Sequence, residues 1–130
     1  MGIGALGTGT GEEEGSGEEE TSVKQYELWW AEMPHPSGRR PVLLLSRDAA
    51  YRVLRHATVA LITTTIRNLP VEVDVGADEG LSRESVANLD NIEAVALARL
   101  TSKIGELAPE RVWDVERALG YALDIDRLKA

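Results

Sequence analysis

The sequence has no cysteine among its 130 residues and only two histidines, His35 and His56. Without cysteine, a disulfide, a thiolate zinc site and a cysteine nucleophile are all excluded. Two imidazoles are too few for a metal site built from several histidines, so we expect neither a metal nor another cofactor. The absence of cysteine also fits a reducing cytoplasm, where we expect the protein to reside.

Long apolar runs are missing as well. The longest of them is far below the ~20 residues that a membrane-spanning helix needs. The N-terminus also lacks the basic segment followed by an apolar one that marks a secretory signal. We therefore expect no membrane segment and no export.

The net charge of −8 is unevenly distributed along the chain. Residues 1–25 hold six glutamates and one lysine, whereas the other 105 residues carry a net charge of only −3. Within that remainder, residues 33–70 hold six arginines and one acid, and residues 71–98 hold seven acids and one arginine. This separation predicts a local basic surface that can hold a polyanion.

Residues 1–25 are rich in glycine and glutamate, and we predict that they form a disordered tail. Such a segment buries too little apolar surface to offset the entropy lost on ordering. Residues 2–7 spell the dinucleotide-binding pattern G-x-G-x-x-G, but no strand can precede them and no βαβ unit follows. We therefore interpret them as low-complexity glycine and expect one domain over residues 26–126.

The hydrophobic pattern of this domain predicts several short strands followed by one helix. Pro109 suits the first position of that helix, and apolar residues then recur at helical spacing up to Leu123. We expect a mainly β fold with a C-terminal α-helix, arranged as a small, partly open β-barrel. The predicted strands cover residues 26–33, 41–46, 58–66, 71–75, 83–89 and 92–97, with a weaker one at 103–107.

Two groups of residues can contact a phosphate. Arg39 and Arg40 precede a buried strand, and a guanidinium offers a planar fork that matches phosphate oxygens. Thr63, Thr64 and Thr65 place three hydroxyls at the end of another strand. When each group is taken alone, a solvated loop explains the arginines and plain β-propensity explains the threonines better than a binding site does. Together they predict a phosphate site, and RNA could bring its own nucleophile, the 2′-hydroxyl, to it.

Two further features have simpler interpretations. Asp74, Asp78 and Glu79 before a glycine hint at a calcium loop, but the ligand spacing of an EF-hand is absent. We therefore expect a solvated turn there. The neighbours Trp29 and Trp30 must point to opposite faces of their strand, so one is expected in the core. The other is expected to pack in an interface or stack on a base.

The core resembles the MazF/PemK family of toxins from bacterial toxin–antitoxin pairs. Four segments carry the resemblance, in the family's order and at its spacing. They are YELWWAE at 26–32, RPVLLLSRD at 40–48, VALITTTIRNLPVEV at 59–73 and GLSRESVANLDN at 80–91.

The resemblance implies a small SH3-like β-barrel that forms a homodimer. It also implies a sequence-specific endoribonuclease that cuts single-stranded RNA (mRNA, tRNA or rRNA) without a metal. The expected products carry a 2′,3′-cyclic phosphate and a 5′-hydroxyl. The expected protein partner is a cognate antitoxin, through which alone the toxin would contact DNA.

The family's catalytic arginine and its catalytic threonine or serine fall on Arg40 and Thr63. Thr64 falls on a neighbouring RNA-contacting position, and Asp90 on an acidic position used in RNA handling or catalysis by some members. The remaining positions expected to contact RNA are Arg39, Thr65, Arg67, Ser85 and Asn88.

The chain departs from the family pattern in the loop before the arginine. Many members carry a Gly-Ser-Glu-Gln or Gly-His-Glu-Gln stretch there, whereas this chain has only residues 34–39. His35 in this loop is a candidate general acid or base, because imidazole exchanges protons near neutral pH. An exposed loop histidine without a role is the other interpretation. Leu61 replaces a proline that is usual in the family, and a strand tolerates this change.

Two alternatives remain open at the level of sequence. The same barrel occurs in CcdB-type toxins, which bind DNA gyrase and cut nothing. Arg40 and Thr63 argue against that function, because a gyrase binder has no need of them. A degenerate member that binds RNA or an antitoxin without cutting is the second alternative.

Overall fold

The computed structural model describes residues 23–130, which fold into six β-strands and one α-helix. The prediction of a mainly β fold with a C-terminal helix is confirmed. The elements are β1 (Glu27–Met33), β2 (Gly38–Leu44), β3 (His56–Thr63), β4 (Glu72–Val75), β5 (Ser85–Ala96), β6 (Leu100–Glu106) and α1 (Val112–Leu123).

The six strands form one antiparallel sheet in the order β4-β5-β3-β2-β1-β6. Val42 of β2 lies opposite Trp29 of β1 and Leu61 of β3, so β2 is central. The edge strands β4 and β6 do not pair with each other within residues 23–130, and the curled sheet therefore remains a half-barrel.

Both faces of the sheet are covered by apolar side chains. Because strand side chains alternate between faces, Leu43 joins one cluster and its neighbours Val42 and Leu44 join the other. The first cluster includes Val115 and Ala118 of α1, which packs on that face. This arrangement explains why the second strand is a continuous apolar run, since Val42, Leu43 and Leu44 are all completely buried.

Strand β5 is one continuous strand of 12 residues, where the sequence predicted two strands separated by Asp90 and Asn91. The prediction was wrong because the interruption is a bulge. Leu61 lies opposite Asn88 and Ala60 opposite Ile92, so three residues of β5 have no partner on β3. The Asn88 Oδ1 accepts a hydrogen bond from the Asp90 N–H at 2.9 Å. Polar residues that strands disfavour are thus accommodated while pairing continues on both sides.

Helix α1 begins later than the sequence predicted. Pro109 opens a short 3₁₀ turn, Pro109–Arg111, and the α-helix follows it from Val112. The helix ends at Leu123, because Asp124 adopts a left-handed conformation with φ 56°. The 3₁₀ turn Asp126–Lys129 then folds back on the helix, and at Gly120 an added Cβ would lie 2.7 Å from the Leu128 Cβ.

The described chain begins inside the segment that was predicted to be a tail. Val23 is only 8% exposed and packs with the second apolar cluster. The Gln25 N–H donates to the Asp48 Oδ1 at 2.7 Å, which ties this segment to the connection between β2 and β3. The remaining tail prediction and the glycine pattern at 2–7 lie outside the described residues. No helix of residues 23–130 is long and apolar enough to cross a membrane.

Candidate functional site

An open cleft of about 660 Å³ lies where β2 begins and β3 ends. Its floor is formed by β1, β2 and β3. One wall is formed by β6 and by the segment that follows the 3₁₀ turn Ala77–Glu79. The lining residues are Trp30, Arg39, Arg40, Pro41, Ile62, Thr63, Thr64, Gly80, Leu81, Ser82, Arg83, Ser85, Lys103 and Ile104.

Arg40 is the cation on the floor of the cleft. Its side chain is half-buried, and Nη2 lies 3.5 Å from the carbonyl oxygen of Ile62, the residue before Thr63. Among residues 23–130, no carboxylate approaches the Arg40 guanidinium within 4.0 Å. A partly desolvated guanidinium without a carboxylate partner is suited to holding an anionic ligand.

Thr63 is the last residue of β3, so its side chain stands at the edge of the cleft. Its Oγ1 accepts a hydrogen bond from the Thr65 N–H at 3.1 Å. A hydroxyl has one proton to donate and two lone pairs to accept with. Because the contact with the Thr65 N–H uses only a lone pair of Oγ1, the Thr63 hydroxyl can still donate a hydrogen bond to a ligand oxygen beside Arg40.

An aromatic platform extends the cleft beyond Arg40. The Arg39 guanidinium lies over the Trp30 ring, 4.3 Å from its centroid, and its Nη2 is 3.4 Å from the Ser102 Oγ. Trp29 faces the other way, packs against the second apolar cluster and donates its Nε1–H to Glu27 Oε1 at 2.9 Å. The predicted division of the two tryptophans between opposite faces is confirmed.

Lys103 of β6 adds another cation to the cleft. Its Nζ lies 3.1 Å from the carboxylate of Glu27 and 3.1 Å from that of Glu106. The hydrogen bond to Glu27, followed by that to Glu106, raises the pKa of Lys103 above its usual value. Lys103 therefore remains charged throughout the physiological pH range, although the two carboxylates offset its charge locally.

The structure brings half of the predicted site residues together. Arg39, Arg40, Thr63, Thr64 and Ser85 all line the cleft, and the Ser85 hydroxyl donates to the Arg83 carbonyl at 3.1 Å. The predicted residues outside the lining are His35, Thr65, Arg67, Asn88 and Asp90.

These outer residues occupy three places. His35 is exposed in the turn between β1 and β2. Thr65 and Arg67 lie in the exposed loop after β3, where the Arg67 N–H donates to Glu72 Oε1 at 3.0 Å. Asn88 and Asp90 belong to the β5 bulge. Contacts of these five residues with RNA remain predictions.

Sequence reasoning missed Ser82, Arg83 and Lys103 as cleft residues. Ser82 and Arg83 belong to the 80–91 segment that carries the family resemblance, and their position after a turn was a usable signal. Lys103 lies in the strand with the weakest pattern, so no local signal placed it near Arg40.

The cleft combines guanidinium groups, an ammonium group, hydroxyls and an indole on the open side of a small curled sheet. Guanidinium and hydroxyl groups recognise phosphate oxygens, and an aromatic ring can stack on an unpaired base. Among residues 23–130, no group of three or more His, Cys, Asp or Glu side chains is arranged to hold a metal ion. The cleft therefore contains the kinds of chemical group that contact phosphates and unpaired bases.

The chain belongs to the family of PemK-like, MazF-like toxins of type II toxin–antitoxin systems, whose model matches residues 24–123. It is 48% identical over 103 residues to a protein of Mycobacterium tuberculosis named probable endoribonuclease MazF5, and this match covers 78% of the chain and 93% of the relative. Family membership confirms the resemblance that the sequence segments carried.

Solved structures show the same fold. The Mycobacterium tuberculosis toxin MazF-mt6 is 36% identical, with a TM-score of 0.72, over 77% of this chain and 98% of that one. An endoribonuclease from a mycobacterial species, solved in complex with its cognate antitoxin, is 26% identical with a TM-score of 0.71. That match covers 80% of this chain and 97% of the toxin.

Proposed function

We propose that this chain is the toxin endoribonuclease of a toxin–antitoxin pair and that it cuts single-stranded RNA in the cleft of Arg40 and Thr63. The observation that carries the proposal is that these two side chains, which come from different strands, line the same cleft, with the Arg40 guanidinium 3.5 Å from the carbonyl oxygen of the residue before Thr63. Membership of the toxin family and the endoribonuclease names of its relatives support the same function.

The proposed reaction is an attack by the RNA 2′-hydroxyl on the adjacent phosphorus. The bond between the 2′ oxygen and phosphorus forms, and the bond between phosphorus and the 5′ oxygen breaks. The 2′-hydroxyl loses a proton and the 5′ oxygen gains one, which leaves a 2′,3′-cyclic phosphate and a 5′-hydroxyl. The substrate supplies the nucleophile, so the reaction needs no metal-bound water.

Arg40 and Thr63 act on the phosphate during this attack. The phosphorane carries more negative charge than the starting diester, and the Arg40 guanidinium stabilises that added charge. The Thr63 hydroxyl donates a hydrogen bond to a non-bridging phosphate oxygen and so orients the phosphorus toward the 2′ oxygen. Two contacts support placement of these groups before the substrate binds: the Arg40 Nη2 lies 3.5 Å from the Ile62 carbonyl oxygen, and the Thr63 Oγ1 accepts the Thr65 N–H.

The open cleft favours single-stranded RNA over a duplex. Sequence-specific RNA recognition requires unstacked bases whose edges and faces are accessible. Trp30 and Arg39 offer a stacking surface next to the phosphate site. Messenger RNA and exposed loops of tRNA or rRNA meet this requirement.

The proposed protein partner is a cognate antitoxin, as in the mycobacterial complex. The basic stretch around the cleft suits an acidic segment that folds over it, and any contact with DNA is made through the antitoxin.

A second copy of this chain is the other proposed partner. Trp113 of α1 is a large apolar side chain that is 60% exposed, and the proposed homodimer, which forms in the cytoplasm, would cover such a side chain.

The test is incubation of the purified protein with a long defined RNA in EDTA, followed by mapping of the 3′ ends. We expect cuts at a recurrent short motif that end in a cyclic phosphate. An Arg40→Ala variant, folded as shown by circular dichroism, should not produce them. Intact RNA with the folded wild type would refute the proposal, and inhibition of gyrase supercoiling would then support the gyrase-binding alternative.

A further inference from the structure

Glu79 is a buried carboxylate at the end of the 3₁₀ turn Ala77–Glu79, where the sequence predicted a solvated turn. It is only 1% exposed. That prediction was wrong for Glu79 because the later part of the chain covers it. A carboxylate is buried only where hydrogen bonds or opposite charge replace its hydration, so its partners indicate its role.

The two oxygens of Glu79 join its own turn to the chain after β6. Oε1 accepts the Gly76 N–H at 2.8 Å, which closes the turn on itself. Oε2 accepts the Ala108 N–H at 3.2 Å and lies 3.2 Å from the Arg111 Nε, which ties the turn to the entrance of α1. Arg111 in turn donates to the Asp74 carbonyl of β4. Glu79 therefore holds the turn to the chain after β6, and Arg111 extends this connection to β4.

The backbone next to Glu79 is in direct contact with β6. Gly80 has φ +95°, and an added Cβ would lie 2.6 Å from the Ile104 carbonyl oxygen. A Cβ added to Gly105 would overlap the carbonyl oxygen of Glu79. Both glycines allow an approach that no larger residue permits, so the turn has no room to shift toward β6.

The residues that follow Glu79 form one wall of the RNA cleft. We call Gly80, Leu81, Ser82 and Arg83 the 80–83 wall; all four line the cleft. Glu79 itself does not line the cleft. Its contacts determine where the wall begins relative to Arg40 on the floor.

We propose that Glu79 is a positioning residue that holds the 80–83 wall, and Arg83 in particular, at the distance from Arg40 that the bound RNA requires. The proposal rests on the proposed ribonuclease function. A displacement of about 1 Å in a positioning element can cost on the order of 100-fold in rate. Glutamine keeps the shape of Glu79 but replaces one acceptor oxygen by an amide donor, so one of its N–H partners is left facing another donor.

The test is a double-mutant cycle between Glu79→Gln and Arg83→Ala, with kcat and KM measured on a short single-stranded RNA. We expect Glu79→Gln to lower kcat/KM by about 10- to 100-fold. In the Arg83→Ala background the same change should cost less than about threefold, because the displaced side chain is already gone. Glu110→Gln makes the same chemical change at an exposed carboxylate that forms no ion pair within residues 23–130, so it is the matched control and should leave kinetics unchanged.

Two outcomes would overturn the inference while the ribonuclease function stands. One is unchanged cleavage by Glu79→Gln. The other is an equal loss in both backgrounds, which indicates a general loss of folded protein. Backbone amide chemical shifts measured by NMR give a readout that does not depend on cleavage. In Glu79→Gln, the amide signals of residues 81–83 should shift, and those of Thr63 and Thr64 should not. If Glu79→Gln does not fold, Glu79→Asp takes its place in this measurement. Unchanged amide chemical shifts at residues 81–83 would refute the role of Glu79. An absence of cleavage by the wild type would instead refute the proposed ribonuclease function.

Discussion

Replacement of Arg40 by alanine should lower kcat by about three orders of magnitude. The diester substrate already carries one negative charge, and the phosphorane gains a second. Two unit charges 4 Å apart interact by about 4 kcal/mol at an effective dielectric constant near 20, which suits a half-buried guanidinium. Since each 1.36 kcal/mol corresponds to about a tenfold change in rate, the loss of this interaction predicts a decrease of about 10³-fold.

The structure supplies the comparison variants for this experiment. Arg40→Lys keeps the charge and loses the planar fork, so we expect a smaller decrease of about tenfold. Arg52→Ala removes an exposed arginine from the connection between β2 and β3, outside the cleft lining. It matches the change in net charge, and it should leave kcat unchanged.

The assay is single-turnover cleavage of a labelled RNA under saturating enzyme, because this separates the chemical step from binding and product release. The wild type, both Arg40 variants and Arg52→Ala are compared at the same ionic strength, since exposed charges are screened by salt. Cleavage by Arg40→Ala within threefold of the wild type would refute the electrostatic role of Arg40. An equal loss in Arg52→Ala would show that net charge, and not the position of Arg40, controls the rate.

Thr63→Val should lower kcat by about 10²-fold with little change in stability, in the same single-turnover assay, because it removes one hydrogen-bond donor from the phosphate. Gly105→Ala should lower the unfolding free energy by about 2 kcal/mol in urea denaturation followed by tryptophan fluorescence, because its Cβ overlaps the Glu79 backbone. Gly76→Ala should not, because its Cβ would make only an ordinary contact with the Glu84 Cα at 3.9 Å. Burial, with a further contribution from the charge of Asp48, raises the pKa of Tyr51 to about 12. As the pH rises, the unfolded chain therefore loses the Tyr51 proton before the folded chain does, so the unfolding free energy should fall between pH 10 and 12. Tyr51→Phe should make this decrease with pH less steep, as measured by alkaline denaturation curves.

The location of Arg40 and Thr63 in one cleft could be predicted because each residue borders an apolar run that the sequence displays clearly. The run after Arg40 is continuous because both faces of β2 are buried, and the run before Thr63 is strongly β-branched. Neighbouring antiparallel strands place the start of one beside the end of the next, so the two residues meet through local pairing. The pairing of Val42 with Leu61 provides this arrangement.

The continuity of β5 could not be predicted in the same way. Asp90 and Asn91 are residues that strands disfavour, and a local pattern cannot distinguish a turn from a bulge. The distinction depends on β3, whose residues continue to pair on both sides of the interruption. The bulge also explains the burial of Asn88, whose amide oxygen is occupied by the Asp90 N–H.

The burial of Glu79 has a similar cause at longer range. An acidic residue before a glycine is typical of a solvated turn, and nothing adjacent in the sequence distinguishes this one. Its partner at Ala108 lies 29 residues later, after the chain has passed through β5 and β6. The carboxylate is therefore enclosed only when the segment before α1 closes over the turn. Since the same closure determines where the 80–83 wall begins, the second half of the cleft depends on the C-terminal part of the chain, whereas Arg40 and Thr63 depend only on neighbouring strands.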